Sequence, residues 1–142
     1  MKTEMNGQSA ELFAMTESSN RGCRVCIPFA GKAPYDFVID IQNHLHRIQV
    51  KEIYLGKTDN GKRWMVDFMK PRGGARNLRY AKYSKSDCDF LVAVCVSLRK
   101  FYVFPVEAIS TRRQATFYFD STPSCFARNT SWVDSYENAW PS

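Results

Sequence analysis

The sequence predicts an α/β fold with one mixed, mostly antiparallel central sheet flanked by helices. Three observations support this fold class. First, residues 6–20 favour a helix and contain a cluster of apolar residues. Second, a series of alternating or wholly apolar segments typical of β-strands follows. Third, turn-forming residues separate those segments. With 142 residues and 44% hydrophobic content, the chain can bury one core but not two. We therefore expect a single domain over residues 1–142.

The first half is predicted to contain one helix and then strands. The helix over residues 6–20 ends at Asn20 and Gly22, and CRVCIPF then reads as a strand. Two alternating segments in YDFVIDIQNHLHRIQVK predict a hairpin around a polar turn. Its second strand is expected to continue through KEIYLG to a turn at TDNG, after which KRWMVDFM returns as another strand.

The second half contains the expected hydrophobic centre. FLVAVCV is almost continuously apolar, as in a strand covered on both faces, and FYVFPVEAI is its hairpin partner until Pro105, which has no N–H to pair. ATFYF predicts one more strand. Trp132, Tyr136 and Trp140 follow at intervals of four residues, which predicts one helical stripe packed on the body or on another subunit.

The hairpin between Tyr35 and Lys51 carries the candidate chemistry. Asp36 opens the first strand, so antiparallel pairing brings it close to the end of the second strand. Gln49 and Lys51 are two residues apart in that strand and therefore share one face. Hard cations such as Mg²⁺ prefer oxygen ligands, and a lysine beside the metal can orient or deprotonate the attacking water. This spacing can build a metal-dependent nuclease site.

These residues resemble the motif of the PD-(D/E)XK nuclease superfamily. The motif stands here as PYD at residues 34–36 and as Gln49, Val50 and Lys51, with glutamine where the family usually has Asp or Glu. The segments GQSAELFAM, APYDFVID, LHRIQVKE, SDCDFLVAVCVSLRKFYVFPVEAI and SYENAW resemble, in that order, the group I intron homing endonucleases. One lineage of the superfamily, these homing endonucleases, carries the Q-x-K form.

The resemblance implies a restriction-endonuclease-like core that hydrolyses double-stranded DNA at a long specific site, with Mg²⁺ or Mn²⁺ as cofactor. Asp36, Gln49 and the Val50 carbonyl would bind the metal. Lys51 would handle the water, and Glu11 matches the acidic residue that these enzymes often supply from the first helix. A chain this small covers only part of a long site, so a homo-oligomer is expected, a dimer or a tetramer.

A basic segment over residues 70–85 is the best candidate for contacts with DNA. Arginine forks and lysines bind phosphates or base edges, and the glycines in KPRGGARNLRYAKYSK let the backbone approach closely. The net charge of +6 suits a polyanionic partner. The other interpretation of the segment is a solvated, mobile loop. The predicted DNA-binding residues are Lys32, Arg63, Lys70, Arg72, Arg76, Arg79, Lys82 and Lys85.

Plainer interpretations of the candidate residues stay open. Asp36 can be a turn or strand-end residue, and Gln49 and Lys51 can form the solvated face of an amphipathic strand. Glu11 can be an ordinary exposed acid on a helix. Two other functions share the basic charge: a structure-selective nuclease like a Holliday junction resolvase, and a DNA-binding module whose site has decayed, consistent with the glutamine.

The cysteines and histidines allow a third alternative. Cys23 and Cys26 form a CxxC and His44 and His46 an HxH, so a small zinc-stabilised interaction domain is conceivable. The five cysteines lack the regular spacing of a disulfide framework, and we expect free thiols. No apolar run of about 18 residues and no apolar signal core is present. We therefore expect an intracellular protein without membrane contact, in the cytoplasm or with the nucleoid.

Overall fold

A five-stranded mixed sheet forms the centre of the molecule. The computed structural model describes residues 2–29, 31–59, 61–72, 79–119 and 131–142. The helical elements are α1 (Lys2–Asn20), α2 (Val106–Ile109) and a 3-10 helix (Ser131–Tyr136). The strands are β1 (Arg24–Cys26), β2 (Phe37–Ile41), β3 (His44–Glu52), β4 (Tyr54–Thr58), β5 (Gly61–Asp67), β6 (Met69–Arg72), β7 (Arg79–Lys82), β8 (Phe90–Cys95), β9 (Lys100–Pro105) and β10 (Gln114–Phe117).

The strands form three sheets in which antiparallel pairing dominates. The central sheet has the order β1-β2-β3-β8-β9, a second sheet has the order β10-β5-β4, and β6 and β7 form a two-stranded ribbon. Within the described ranges, β3 and β8 are the one parallel pair. This arrangement confirms the predicted mixed, mostly antiparallel sheet. The connection from β3 to β8 contains the second sheet's β4 and β5 and the ribbon.

Each face of the central sheet is covered by a hydrophobic core. Helix α1 lies on one face through Ala10, Ala14 and Ser18, which are four residues apart and fully buried. Such small side chains let the helix approach the sheet closely. The other face is covered by β5, β10, α2 and the 3-10 helix. Both faces of β8 are buried, as the apolar run FLVAVCV predicts.

The hairpin of β2 and β3 has the predicted position and a tight turn. Its register pairs Phe37 with Ile48 and Ile41 with His44. The two turn residues, Gln42 and Asn43, have positive φ angles of 50° and 68°. Positive φ at both central positions gives a turn whose twist matches that of the flanking strands. This register places Asp36 opposite the end of β3.

Two predicted strands are interrupted, and these predictions were wrong. The second arm of the hairpin does not run on through KEIYLG, because Ile53 is buried and its N–H donates to the Val94 carbonyl at 2.8 Å. KRWMVDFM is likewise divided at Phe68, which is buried and donates its N–H to the Arg113 carbonyl at 2.8 Å. Contacts with distant segments therefore move the chain from one sheet to the next.

The C-terminal aromatic residues pack on the body but not as one helical stripe. Trp132 and Tyr136 contact one core, whereas Trp140 packs against Phe101 in the other. The predicted single stripe was wrong because the 3-10 helix ends at Tyr136 and the chain turns at Asn138, whose φ is 53°. The tail then crosses from one face of the sheet to the other.

The described cysteines have free thiols, as expected. Cys88 and Cys95 are buried, Cys23 is half-buried and Cys26 is exposed, while Cys125 lies outside the described residues. In the part of the chain that the structure describes, no helix has both the length and the apolar character needed to cross a membrane.

Candidate functional site

Asp36 is held at the point where β2 and β3 diverge. Its main-chain N–H donates to the Ile48 carbonyl at 2.8 Å, and its carboxylate Oδ2 accepts the Val50 N–H at 2.7 Å. The ladder between the two strands begins only at Phe37, so the Asp36 side chain satisfies an N–H of β3 that the neighbouring backbone does not reach. The carboxylate is therefore oriented by the main chain.

Glu11 on α1 meets Asp36 across the edge of the sheet. It follows the buried Ala10, so packing of the helix carries it to this edge, where the two carboxyl groups form a hydrogen bond. Burial, followed by the charge and the hydrogen bond of Asp36, raises the pKa of Glu11 to about 7. Burial also raises the pKa of Asp36, against the lowering effects of Val50, Glu11 and Lys51. Burial and the nearness of the two carboxyl groups therefore both oppose ionisation of Glu11.

Gln49 and Lys51 lie on the face of β3 opposite to Ile48 and Val50. The latter two are buried against α1, while Gln49 and Lys51 are half-buried. The Gln49 side-chain amide donates to the Val50 carbonyl at 3.2 Å. This alternation agrees with the expected shared face of Gln49 and Lys51.

Lys51 is a half-buried cation beside this carboxylate pair. Its Nζ donates to the Met69 carbonyl at 3.5 Å and lies 5.6 Å from the centroid of the Tyr83 ring. Burial lowers the pKa of Lys51, while the charges of Asp36 and Asp67 raise it. Burial and the two carboxylates therefore act on the pKa of Lys51 in opposite directions.

The donor set fits a hard divalent cation. Glu11 and Asp36 supply carboxylate oxygens, and the Gln49 side chain and the Val50 carbonyl add neutral oxygens. The charge of Asp36 contributes to the raised pKa of Glu11, after burial, so the two carboxyl groups lie close to each other. Mg²⁺ and Mn²⁺ accept such a set because they keep several waters.

The zinc alternative finds no support in the structure. Among residues 2–29, 31–59, 61–72, 79–119 and 131–142, no three His, Cys, Asp or Glu side chains group around a possible metal position. Cys26 pairs with Val38 in the sheet, whereas His44 pairs with Ile41 at the far end of the hairpin. Strand β2 lies between β1 and β3 in the sheet and therefore separates the cysteines of the proposed Cys₂His₂ set from its histidines.

The predicted DNA-binding lysines have different environments. Lys32 and Lys82 are exposed, and the Lys82 Nζ approaches the Thr111 carbonyl at 3.5 Å. Lys85 is also exposed, although it pairs with two acidic side chains. Lys70 differs from these residues because its ammonium is largely buried in an ion pair with Asp87. In the absence of DNA, the charge of Lys70 is thus paired within the protein.

The basic segment is not a continuous loop. Its two ends form the ribbon of β6 and β7, in which Arg72 pairs with Arg79 in the register. The side chains of these two arginines and the whole of Arg76 lie outside the described residues. Arg63 is half-buried on β5.

Two residues of the site were missed in the sequence. Tyr83 was grouped with the basic segment, yet only 4% of its surface is exposed, and burial raises the pKa of its hydroxyl. Asp67, at the end of β5, adds negative charge near Lys51. The available signal for Tyr83 was alternation: Tyr80 and Lys82 are exposed, so Tyr83 falls on the inner face.

Comparison with known proteins gives the family. A sequence model of the PD-(D/E)XK endonucleases matches residues 1–139, nearly the whole chain. The chain belongs to the PD-(D/E)XK endonuclease family. Members of this family generally use divalent metal ions, which agrees with the donor set. The predicted family is thus confirmed, and with it the prediction of an endonuclease.

A solved structure of a homing endonuclease is similar to this PD-(D/E)XK endonuclease. The structure of the bacterial homing endonuclease I-Ssp6803I is similar with a TM-score of 0.82 and 28% sequence identity. The match covers 99% of this chain and 91% of the other. No curated protein sequence matches significantly. The α/β fold class is therefore confirmed along the full length of the chain.

Proposed function

We propose that this PD-(D/E)XK endonuclease is a homing endonuclease, which hydrolyses both strands of DNA at a long specific site with Mg²⁺ or Mn²⁺. One observation carries the proposal: Glu11, Asp36 and Lys51 meet at the end of the central hairpin. The similarity to a homing endonuclease over 99% of the chain adds support for the type of target.

The cation would be held by the Glu11 and Asp36 carboxylates, with Gln49 and the Val50 carbonyl beside them. When bound, a divalent cation supplies Lewis acidity to a phosphoryl oxygen and lowers the pKa of water. Asp36 needs no rearrangement to take part, because the Val50 N–H already orients its carboxylate.

Lys51 would act on the attacking water. Its ammonium donates a hydrogen bond to a water in line with the scissile P–O bond and so orients that water for attack, while the proton of the water passes to bulk solvent. The same ammonium lies beside the phosphate, where it stabilises the negative charge that develops on the phosphoryl oxygens. The bond to the leaving oxygen breaks as the new P–O bond forms, and that oxygen takes up a proton from a neighbouring water.

Cleavage of a duplex by this chain would require at least two copies. Each chain has one candidate site, which serves one strand, and a symmetric dimer or tetramer places equivalent sites on both strands. The exposed Lys32, Lys82 and Lys85 supply positive charge for the phosphates. Such a protein would act inside the cell, in the cytoplasm or with the nucleoid, where its DNA lies.

Cleavage of two substrates tests the proposal. Purified protein is incubated with Mg²⁺ and one of two substrates. The first is a duplex in which the sequences on either side of the gene's insertion point are joined without the insertion, and the second is a four-way junction. Lys51→Ala is the matched control. We expect discrete, Lys51-dependent cleavage of the duplex alone. Cleavage of the junction alone would replace the proposal with a resolvase, and tight salt-sensitive binding without cleavage would indicate a DNA-binding module.

A further inference from the structure

The ammonium of Lys51 is held by the base of the β6–β7 ribbon. Met69, the first residue of β6, offers its carbonyl at 3.5 Å from the Lys51 Nζ. Tyr83, the residue after β7, places its ring centroid 5.6 Å from the same nitrogen. The ribbon therefore provides one hydrogen-bond acceptor and one aromatic ring for this cation.

The ring of Tyr83 is itself held in place by its neighbours. It is buried, with 4% of its surface exposed, and a second ammonium, that of Lys70, lies 5.9 Å from its ring centroid. Lys70 is anchored by its ion pair with Asp87. The Asp87 carboxylate in turn accepts the Ser84 N–H at 2.9 Å and the Ser84 hydroxyl at 3.2 Å. The ring is thus held within a set of charged and hydrogen-bonded groups.

We propose that Tyr83 is a positioning residue for Lys51: its ring holds the ammonium beside Asp36 by a cation–π interaction. This inference rests on the proposed function, in which Lys51 acts on the water. Lysine has a flexible four-carbon stem, so its amine needs a second contact to stay in one place. An aromatic face attracts a cation within about 6 Å of its centroid, and more strongly where water is excluded.

The same contact links the proposed DNA-binding ribbon to the reacting groups. Tyr83 continues directly from Lys82, whose exposed side chain lies on the outer face of the ribbon. A shift of the ribbon on DNA would therefore also move the ring under Lys51. Tyr83 acts on the reaction through Lys51 and does not contact the substrate.

Fluorination of the ring tests the inference without removing bulk from the core. Tyr83→Phe is made first, and then one, two and three fluorine atoms are introduced on the phenylalanine at position 83. Each fluorine weakens the negative face of the ring and hence its attraction for a cation. Tyr83→Phe gives the reference rate of single-turnover cleavage, and three fluorines are expected to lower the rate roughly fivefold relative to it. The DNA dissociation constant should stay constant.

The control is the same fluorinated series at Phe117, which is buried in the same core and packs against Tyr102 and Phe119. Cleavage should not change along that series. A flat series at position 83, or an equal decline at position 117, would overturn the inference.

A second measurement reports the contact without cleavage. The ring current of Tyr83 should shift the ε-methylene protons of Lys51 upfield in the NMR spectrum, and Tyr83→Leu should remove that shift. Absence of the shift in the wild-type protein would overturn the inference. An intact shift in a protein that cuts no DNA would instead contradict the proposed function.

Discussion

At the residue scale, the sequence predicts the neighbours of Asp36 because they belong to one hairpin. Alternation in β3 assigns Gln49 and Lys51 to one face, and antiparallel pairing brings Asp36 to their end of the strand. Glu11 was reached only through the family resemblance. No local spacing fixes which residue of α1 meets the edge of the sheet, since that depends on packing of Ala10 and Ala14.

The amide at Gln49 leads to a prediction about metal affinity. A neutral amide oxygen binds a hard cation more weakly than a carboxylate, so Gln49→Glu should lower the Mg²⁺ concentration for half-maximal cleavage, by about tenfold. Gln49→Ala should raise it. The measurement is the cleavage rate against Mg²⁺ concentration for the three proteins. An unchanged requirement in both variants would show that position 49 does not face the cation.

Tyr83 shows why the remaining part of the site was not predicted. Its segment is rich in Lys, Arg and Gly, and this composition indicates contact with DNA or solvent. The ring is buried because the base of the ribbon contacts Lys51 on β3; alternation assigns Tyr83 to the inner face of the ribbon, but it does not indicate which distant residue that face meets. The same fold directs Lys70 inward to Asp87.

At the element scale, Arg47 joins β3 to the segment before β8. Its main-chain N–H donates to Asp89 Oδ2 at 2.8 Å, and its guanidinium contacts both carboxylate oxygens at 3.2 Å. It also donates to the carbonyls of Lys85 at 2.6 Å and Ser86 at 3.2 Å. These hydrogen bonds stabilise the start of the parallel pair formed by β3 and β8. Gln49 and Lys51 lie on β3.

The interaction of Arg47 with Asp89 predicts that the stability of the folded protein depends on pH. Burial opposes ionisation of Asp89, but the hydrogen bonds and charge of Arg47 outweigh it and lower the pKa of Asp89 from 3.8 to about 2. A lowered carboxyl pKa stabilises the folded state above pH 3.8, by roughly 2 kcal/mol, and this contribution is lost as the pH falls through 2.

Urea denaturation between pH 7 and pH 2 measures this effect, with Asp89→Asn as the comparison. The wild-type protein should exceed the variant in free energy of unfolding at pH 7, and the difference should shrink as the pH approaches 2. A difference that stays constant over this range would contradict the assignment of the stabilisation to the ionised Asp89.

The element boundaries were predicted well where the pattern is local. The hairpin of β2 and β3 and the hydrophobic pair of β8 and β9 follow from alternation, apolar runs and Pro105. The breaks at Ile53 and Phe68 could not be predicted in this way. Their main-chain N–H groups bond to Val94 and Arg113, and neither partner is close in the sequence.

At the scale of the whole molecule, composition and segment order predicted the fold class and the family. They did not predict that β3 and β8 are parallel or that the strands divide into three sheets. Both features depend on how the connection from Ile53 to Asp89 crosses the molecule. Net positive charge indicated a polyanionic partner, but only the structure separates exposed cations from those used internally.

The difference between an exposed lysine and one that is paired within the protein predicts different effects of substitution at Lys82 and Lys70. Lys82→Gln removes an exposed charge and should reduce the slope of log affinity for DNA against log salt by about 0.9. Lys70→Gln should leave the slope unchanged. It should instead lower the free energy of unfolding by about 2 kcal/mol, because Asp87 is left without its partner.

Salt titrations of DNA binding and urea denaturation of both variants provide the two measurements. A smaller slope for Lys70→Gln, together with wild-type stability, would mean that the Lys70 ammonium reaches DNA and that the ion pair with Asp87 is unimportant.

The most direct test of the candidate site is single-turnover cleavage of duplex DNA by Asp36→Asn. The amide keeps the size of the side chain and its bond to the Val50 N–H, but it removes the charge from the carboxylate pair. Cleavage with Mg²⁺ should fall about a hundredfold or more, while the DNA dissociation constant, measured with Ca²⁺, stays close to that of the wild type. Cleavage at the wild-type rate would contradict a site built on Asp36.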